Sequence, residues 1–357
     1  MKLAFFGSSL VSAYWNGAAT YYRGIIRHLH ERGHRITFYE PDAYQRQQHR
    51  DFPDPDWARV VVYPPNEEAA AKAIAEASKT ADAIVKTSGV GVLDQFLEEA
   101  IAEAKRSDNL TIFWDVDAPA TLERMAQDRD DPFRTLVRRY DFILTYGGGP
   151  PVIAGYRAFG AQECVPIYNA LDPTTHYPAP KEERFAGTLS FLGNRLPDRE
   201  ARVGEFFLRA AELSPQERFV LGGNGWEQAR LPANVRHLGH IYSREHNAFN
   251  CSPRAVLNVN RASMARFGFS PPTRIFEAAG AAACLISDAW DGIELFLDPG
   301  DEILLAHDGA EVAEILRALK PARARQIGEA ARKRILSEHT YRHRAVQFDE
   351  VMEGVLA

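Results

Sequence analysis

The chain has 357 residues, 45% of them apolar and 25% charged, with a formal net charge of −6. That length exceeds what one hydrophobic core usually fills, so two domains are expected. The negative balance argues against general nucleic-acid affinity, and no apolar run approaches the ~20 residues of a membrane helix.

Taken in order, Leu3 to Phe6 reads as a strand, not a secretion signal, because Lys2-Leu3-Ala4-Phe5-Phe6-Gly7 is too short an apolar region and lacks a basic leader. Cytoplasmic residence is the default expectation, with peripheral membrane contact left open. A helix over Ala18 to Glu31 and a strand over Arg35 to Tyr39 complete a βαβ opening. The alternation continues with Val60 to Val62, a helix from Glu67 to Lys79, Ala83 to Lys86, a helix near 93–106, Thr111 to Trp114, and Phe142 to Thr145. Parallel strands covered by helices follow from that order.

The composition changes after Val165-Pro166-Ile167-Tyr168, where Asn169 to Arg184 holds three prolines and little helical periodicity; it reads as a linker. The alternation then restarts: strands at 188–192, 218–221, 235–238, 256–259, 284–287 and 303–305, and helices at 199–212, 274–281, 310–319 and 322–337. The expected organisation is a first domain over 1–168, a linker over 169–184 and a second domain over 185–339, with the segment near 340–357 packing back on the first. Two open α/β domains of similar size place a cleft between them, bordered by loops at the carboxyl ends of the strands.

Those strand ends carry the candidate chemistry. In the first domain, Gly7-Ser8-Ser9 does not make the G-x-G-x-x-G dinucleotide fingerprint, which disfavours a nicotinamide dehydrogenase. Asn16 and Gly17, at a helix start, let an acceptor or a distal phosphate approach, with turn formation as the competing explanation. Asp115 and Asp117 end a strand and are expected to face the cleft, where a carboxylate can deprotonate an acceptor hydroxyl; Asp117 can equally cap the following helix. Gly148, within Tyr146-Gly147-Gly148-Gly149-Pro150-Pro151, shapes a cleft loop or a stiff turn.

In the second domain, Gly193 precedes Arg195 and Arg199, guanidinium groups suited to phosphate oxygens or simply solvated. Gly223 and Asn224 follow another strand, allowing close backbone approach to a base or ribose, or forming a tight turn. Pro271-Pro272-Thr273-Arg274-Ile275-Phe276-Glu277 opens a helix whose first N–H groups, of residues 274 to 276, point outward with partial positive charge, a site for phosphate. One turn in, Glu277 can accept hydrogen bonds from the vicinal hydroxyls of a ribose. The three cysteines, Cys164, Cys251 and Cys284, form no C-x-x-C pair and read as buried reduced thiols. Eleven histidines show no metal-ligand spacing; His339 and His343 are expected on a surface helix, and no metal is expected.

In their order these segments resemble glycosyltransferases of the GT-B fold, and among them the CgeB-like group named for a spore-maturation protein, related to glycosyltransferase family 4 (group 1). The resemblance spans nearly the whole chain. Its carriers are Asn16-Gly17-Ala18-Ala19-Thr20-Tyr21-Tyr22, Arg32-Gly33-His34, Trp114-Asp115-Val116-Asp117-Ala118-Pro119, Gly193 with Arg199, Pro272-Thr273-Arg274-Ile275-Phe276-Glu277-Ala278-Ala279, and Glu338-His339-Thr340-Tyr341-Arg342-His343-Arg344.

The resemblance implies two Rossmann-like α/β domains with parallel sheets facing an interdomain cleft. A nucleoside diphosphate-sugar of UDP or dTDP type would be bound mainly by the second domain and an acceptor mainly by the first, with no obligatory metal and no cofactor beyond that co-substrate. Glu277 matches the second glutamate of the E-x7-E pattern, which contacts the donor ribose; Phe269 replaces the first, and Ala282 stands where related chains have glycine. The expected activity is sugar transfer to an acceptor, with a non-hydrolysing nucleotide-sugar epimerase and a non-catalytic nucleotide-sugar-binding protein as alternatives.

Overall fold

The computed structural model describes residues 1–14 and 16–356. The chain forms two compact units, Met1–Tyr168 together with Tyr341–Ala357, and Asn169–Thr340.

The first unit is built from β1 (Lys2–Phe6), α1 (Ala19–Glu31), β2 (Arg35–Pro41), β3 (Arg59–Tyr63), α2 (Glu67–Ser78), β4 (Ala83–Thr87), α3 (Asp94–Glu103), β5 (Leu110–Asp115), α4 (Ala118–Gln127), α5 (Phe133–Leu136), β6 (Phe142–Thr145), α6 (Gly149–Ala158) and β7 (Glu163–Pro166). Its seven strands pair in the order β3-β2-β1-β4-β5-β6-β7, and every pairing is parallel. Helices cover both faces of such a sheet, so β4 and β6 are buried at every residue, and their sequences show apolar runs, Ala83-Ile84-Val85 and Phe142-Ile143-Leu144, not alternation.

The seventh strand was not expected from the sequence. Pro166 has no N–H to donate, which an edge strand tolerates, and β7 is the edge.

The second unit continues with β8 (Leu189–Leu192), α7 (Pro197–Val203), α8 (Arg209–Leu213), β9 (Phe219–Gly222), β10 (Val235–His237), α9 (His246–Cys251), β11 (Ala255–Asn258), α10 (Ala262–Phe267), α11 (Thr273–Gly280), β12 (Leu285–Asp288), β13 (Leu304–Ala306), α12 (Gly309–Ala318) and α13 (Pro321–Glu338). A π-helical turn, Gly204–Leu208, joins α7 to α8. Six parallel strands run β10-β9-β8-β11-β12-β13. Phe191, Phe207, Phe219, Leu257 and Ile286 lie in its core.

Both sheets therefore share one topology. The chain steps outward to one edge, returns to the middle, and steps out the other way, so the order reverses between β1 and β4 in the first unit and between β8 and β11 in the second. Loops on either side of a reversal splay apart and leave a crevice at the carboxyl ends of those strands, the place where open parallel sheets bind ligands.

The last helix, α14 (Tyr341–Leu356), belongs to the first unit and lies on α1. A Cβ on Gly24 of α1 would come within 2.2 Å of the Tyr341 ring, so the absence of a side chain there lets that ring in. Phe348 stacks on Trp114 with centroids 5.8 Å apart, and Trp114 Nε1 donates to the Tyr21 hydroxyl at 2.9 Å. Asp349 accepts from Arg32 and lies 2.7 Å from His34 Nε2.

Candidate functional site

In the first unit the crevice beside β1 and β4 is a cavity of about 420 Å³ lined by Asn16, Gly17, Ser88, Gly89, Asp94, Glu98, Asp117 and Arg124 among others. The two aspartates singled out in the sequence part company here. Asp115, the last residue of β5, is fully buried; its Oδ2 accepts from the Tyr156 hydroxyl at 2.5 Å and its Oδ1 from the Asp117 N–H at 2.9 Å. The expectation that Asp115 faces a cleft is thus corrected: both its oxygens are engaged inside the fold, and it holds the loop that carries Asp117. Asp117 occupies the N-cap position of α4 without a side-chain capping bond and contributes to the cavity wall, so of its two readings capping falls.

The loop around Asn16 is also held internally. Asn16 Nδ2 donates to the Ser9 and Ser12 carbonyls at 2.7 and 3.0 Å, and its Oδ1 accepts from Ser8 Oγ at 2.9 Å, so this side chain clasps its own loop. Gly17 has nothing within 4 Å of a notional Cβ and stands open at the cavity. Gly148 is a turn glycine, with φ of 95° and Val152 filling the space a Cβ would need.

Beneath the cavity lies a group that sequence reasoning missed. Lys86 is fully buried, its Nζ 2.5 Å from Asp94 Oδ1 and 3.7 Å from Glu98 Oε1. Burial alone raises the Asp94 carboxyl, but the Lys86 ammonium and the N–H groups of Gly91 and Val90 outweigh it and hold Asp94 below its ordinary value. Glu98, farther from the ammonium, is pushed up by burial. A lysine inside an apolar strand such as Ala83–Thr87 was the available signal.

In the second unit the topological reversal brings Arg274 to the ends of β8 and β11. Its Nη1 donates to Asn258 Oδ1 at 3.1 Å, its Nη2 to the Leu192 carbonyl, and its guanidinium lies 4.9 Å from the Phe191 ring centroid. Burial, and then the like charge of Arg199, pull the Arg274 guanidinium down to about 10, with Glu277 and Asp288 opposing. Arg199 sits against Gly193, where a Cβ would be 2.9 Å from its Nη1. Two guanidinium groups near one strand end are donors of the kind that can pair with phosphate oxygens.

Thr273 is the first residue of α11, not its cap; the cap is Pro272, with no side-chain bond. Of the three N–H groups expected to point outward, that of Ile275 is engaged with the Pro272 carbonyl at 3.1 Å. Glu277 follows with its side chain a quarter exposed and a carboxylate oxygen 4.0 Å from His176 Nε2.

Other donor-side expectations resolve into loop architecture. Arg195 is paired with Glu200 at 2.6 Å, an exposed ion pair with which a phosphate would compete. Gly223, at φ of 120°, is needed because a Cβ would fall 2.3 Å from the Gly193 carbonyl oxygen, so the close approach it permits is to protein backbone. Asn224 ties the same two loops together, its N–H on Asn194 Oδ1 and its carbonyl accepting from the Arg195 N–H, both at 2.9 Å.

Asn258 and Asn260, unremarked in the sequence, lie at the end of β11. Asn260 is 1% exposed and its Nδ2 has no hydrogen-bond partner among the described residues, a buried donor left for something else. Asp288, fully buried, accepts from Arg202 at 2.5 Å and from the Asn260 N–H at 3.1 Å. Phe269 is held at φ of 48°, its N–H on the Asp291 carbonyl at 2.6 Å, with Gly292 so close to its ring that a Cβ would clash. Ala282 sits at φ of 59°, the left-handed position that ends a helix, which explains why glycine would be natural there.

Cys164 and Cys284 are buried and free, their thiols pushed by burial up to about 12, and Cys251 is half-buried. His339, expected on a surface helix, is buried instead, against Phe276 and Phe296. The histidines that do converge are His176 and His246, which join Glu277: one nitrogen of each ring and a carboxylate oxygen lie within 4.8 Å of one another. Burial pulls the His246 imidazole below its ordinary value, Glu277 opposes this, and His176 adds to it. Their wide separation in sequence hid them.

Residues 199–350 match the family model described as glycosyl transferase-like. No curated protein matches the sequence. Among solved structures, sucrose-phosphate synthase from Thermosynechococcus elongatus is similar over 100% of this chain and 99% of its own, at 13% identity and a TM-score of 0.71. Anabaena HepE, solved in complex with UDP-glucose, is similar over 99% of this chain and 100% of its own, at 14% identity and a TM-score of 0.69. The β-glucosyltransferase of phage T4 is similar over 99% of both chains, at 11% identity and a TM-score of 0.62. The chain thus has the GT-B glycosyltransferase fold. Among the described residues no helix is long and apolar enough to cross a membrane.

Proposed function

We propose that this protein is a glycosyltransferase of the CgeB-like group that moves a sugar from a nucleoside diphosphate donor, of UDP or dTDP type, to an acceptor hydroxyl. The observation that carries this reading is the pairing of Arg199 with Arg274 at the reversal point of the second sheet, one helical turn from Glu277. The guanidinium groups and the start of α11 take the diphosphate, and Glu277 takes the ribose hydroxyls. HepE, a protein of the same fold, was solved with UDP and with UDP-glucose, which supports the donor class.

In the transfer, the acceptor oxygen bonds to the anomeric carbon. The bond from that carbon to the phosphate oxygen breaks, and its electron pair leaves with the nucleoside diphosphate. Charge therefore develops on the phosphate, where Arg199 and Arg274 stabilise it; these groups supply the compensation that a metal supplies elsewhere, so transfer is proposed to be metal-independent. The acceptor's proton goes to Asp117 on the cavity of the first unit, or, if attack comes from the leaving group's own face, to the leaving phosphate.

Two variants test the reading. Glu277→Ala should weaken UDP binding in calorimetry at least tenfold while leaving the thermal midpoint within a few degrees; equal affinity in variant and parent removes the ribose assignment. Asp117→Asn should retain UDP binding and lose turnover, and unchanged turnover assigns the proton to the leaving phosphate.

A further inference from the structure

We propose that His176, His246 and Glu277 form a binding site for a zinc ion, and that zinc there shuts out the donor nucleotide; the second half rests on the assignment of Glu277 to the ribose. Two imidazoles and one carboxylate are a ligand set that zinc takes with a water in the fourth position. One donor atom from each residue already lies within 4.8 Å of the other two. Tetrahedral zinc with bonds of about 2.0–2.2 Å holds its ligand atoms roughly 3.4 Å apart, so side-chain rotations of little more than an ångström close the site.

Each ring also has a neighbour within hydrogen-bond distance. His246 Nε2 lies 3.3 Å from the Ile241 carbonyl, which can only accept, so that nitrogen carries the proton and Nδ1 keeps its lone pair. His176 Nδ1 is 2.9 Å from the Thr175 hydroxyl, while its Nε2 faces Glu277. A carbonyl or hydroxyl behind the imidazole is the arrangement that fixes metal-ligating histidines.

The segments are also tied together. Asn247, beside His246, donates to the Thr175 carbonyl at 2.9 Å and accepts from the Tyr177 N–H at 3.2 Å, pinning the residues on both sides of His176 to α9. Cys251, at the far end of α9, lies 3.2 Å from the Ala281 carbonyl just beyond α11, the helix of Glu277. Three ligands from three segments are thus preset by contacts that do not involve a metal. Zinc on Glu277 removes the acceptor that a ribose needs, so metal and nucleotide exclude each other.

The test uses the full chain stripped of metal with a chelator. Titrating zinc against a chromophoric competitor should show one ion per chain. His176→Ala and His246→Ala should each weaken it at least tenfold; no binding, or binding unaffected by either substitution, overturns the site. Calorimetry of UDP is then run with and without zinc, on the parent and on His176→Ala. The parent's apparent affinity should fall at least tenfold with zinc, and the variant's should not.

Chelation of zinc by the diphosphate in solution is common to both proteins and cancels in that comparison. An equal effect of zinc on both proteins overturns the exclusion. Failure of UDP to bind the metal-free parent would instead count against the proposed function, while the zinc titration needs no nucleotide.

Discussion

In the first unit the cation buried beneath the ligand crevice, Lys86, faces two carboxylates, Asp94 at 2.5 Å and Glu98 at 3.7 Å. In the second, the corresponding cation, Arg274, leans on a carbonyl, an amide oxygen and an aromatic face, with a second guanidinium beside it. A buried charge with its counter-charges inside the protein is already balanced. At Arg274 the like charge of Arg199 works against the guanidinium while Glu277 and Asp288 support it, so an arriving anion adds to a partial balance. The same topology therefore carries a tightly ion-paired lysine on one sheet and, on the other, an arginine held by neutral acceptors and an aromatic face.

The contrast can be broken in both directions. Lys86→Met should cost about 3 kcal/mol of unfolding free energy in urea titration, the low end for breaking a buried ion pair, because a third of the Asp94 side chain stays in contact with solvent. A loss under 1 kcal/mol would mean that Lys86 is not the structural counterpart described. Arg274→Ala should do the reverse: little loss of stability, and a 10- to 100-fold weaker UDP affinity, about 1.4–2.8 kcal/mol. Unchanged affinity in calorimetry would dissolve the distinction between the units.

Acid titration sharpens the first half. The folded Asp94 carboxyl lies below its ordinary value. Its contribution is therefore fully present above the unfolded value near 4, and is lost as pH falls below that through the lower folded value. Urea midpoints measured from pH 6 down to pH 3 should show this loss in the parent and a shallower one in Lys86→Met. The smallest effect concerns Ala282, which meets a left-handed φ with a Cβ. Ala282→Gly should stabilise the second unit by about 1 kcal/mol or less in the same assay, without changing UDP affinity.

Most strands were legible because a sheet covered on both faces writes short continuous apolar runs, as in Phe142–Thr145. Strand β7 was not, since Glu163 and Pro166 leave too little apolar character between them. Among site residues, the sequence marked strand ends but not the direction of side chains there. Asp115 and Asp117 are two positions apart and look equivalent, yet Tyr156, far along the chain, turns the first into a buried anchor. Gly148 and Gly223 each had a ligand-side and a turn reading, and the turn reading holds, with Val152 and the Gly193 carbonyl in the space a Cβ would take. Arg195 is paired with Glu200 five residues on, a contact made between the loop before α7 and the helix itself, which no helical spacing marks.

The return of α14 to the first unit has a consequence for the order in which the protein can be made. Asn169–Thr340 is one uninterrupted stretch and can complete its core as soon as it leaves the ribosome. The first unit waits: until Tyr341 and Phe348 emerge, the faces of Gly24 and Trp114 that receive them stay uncovered. The part synthesised first is thus the last to close, and a chain stopped short of its final helix would carry a finished second unit behind an unfinished first.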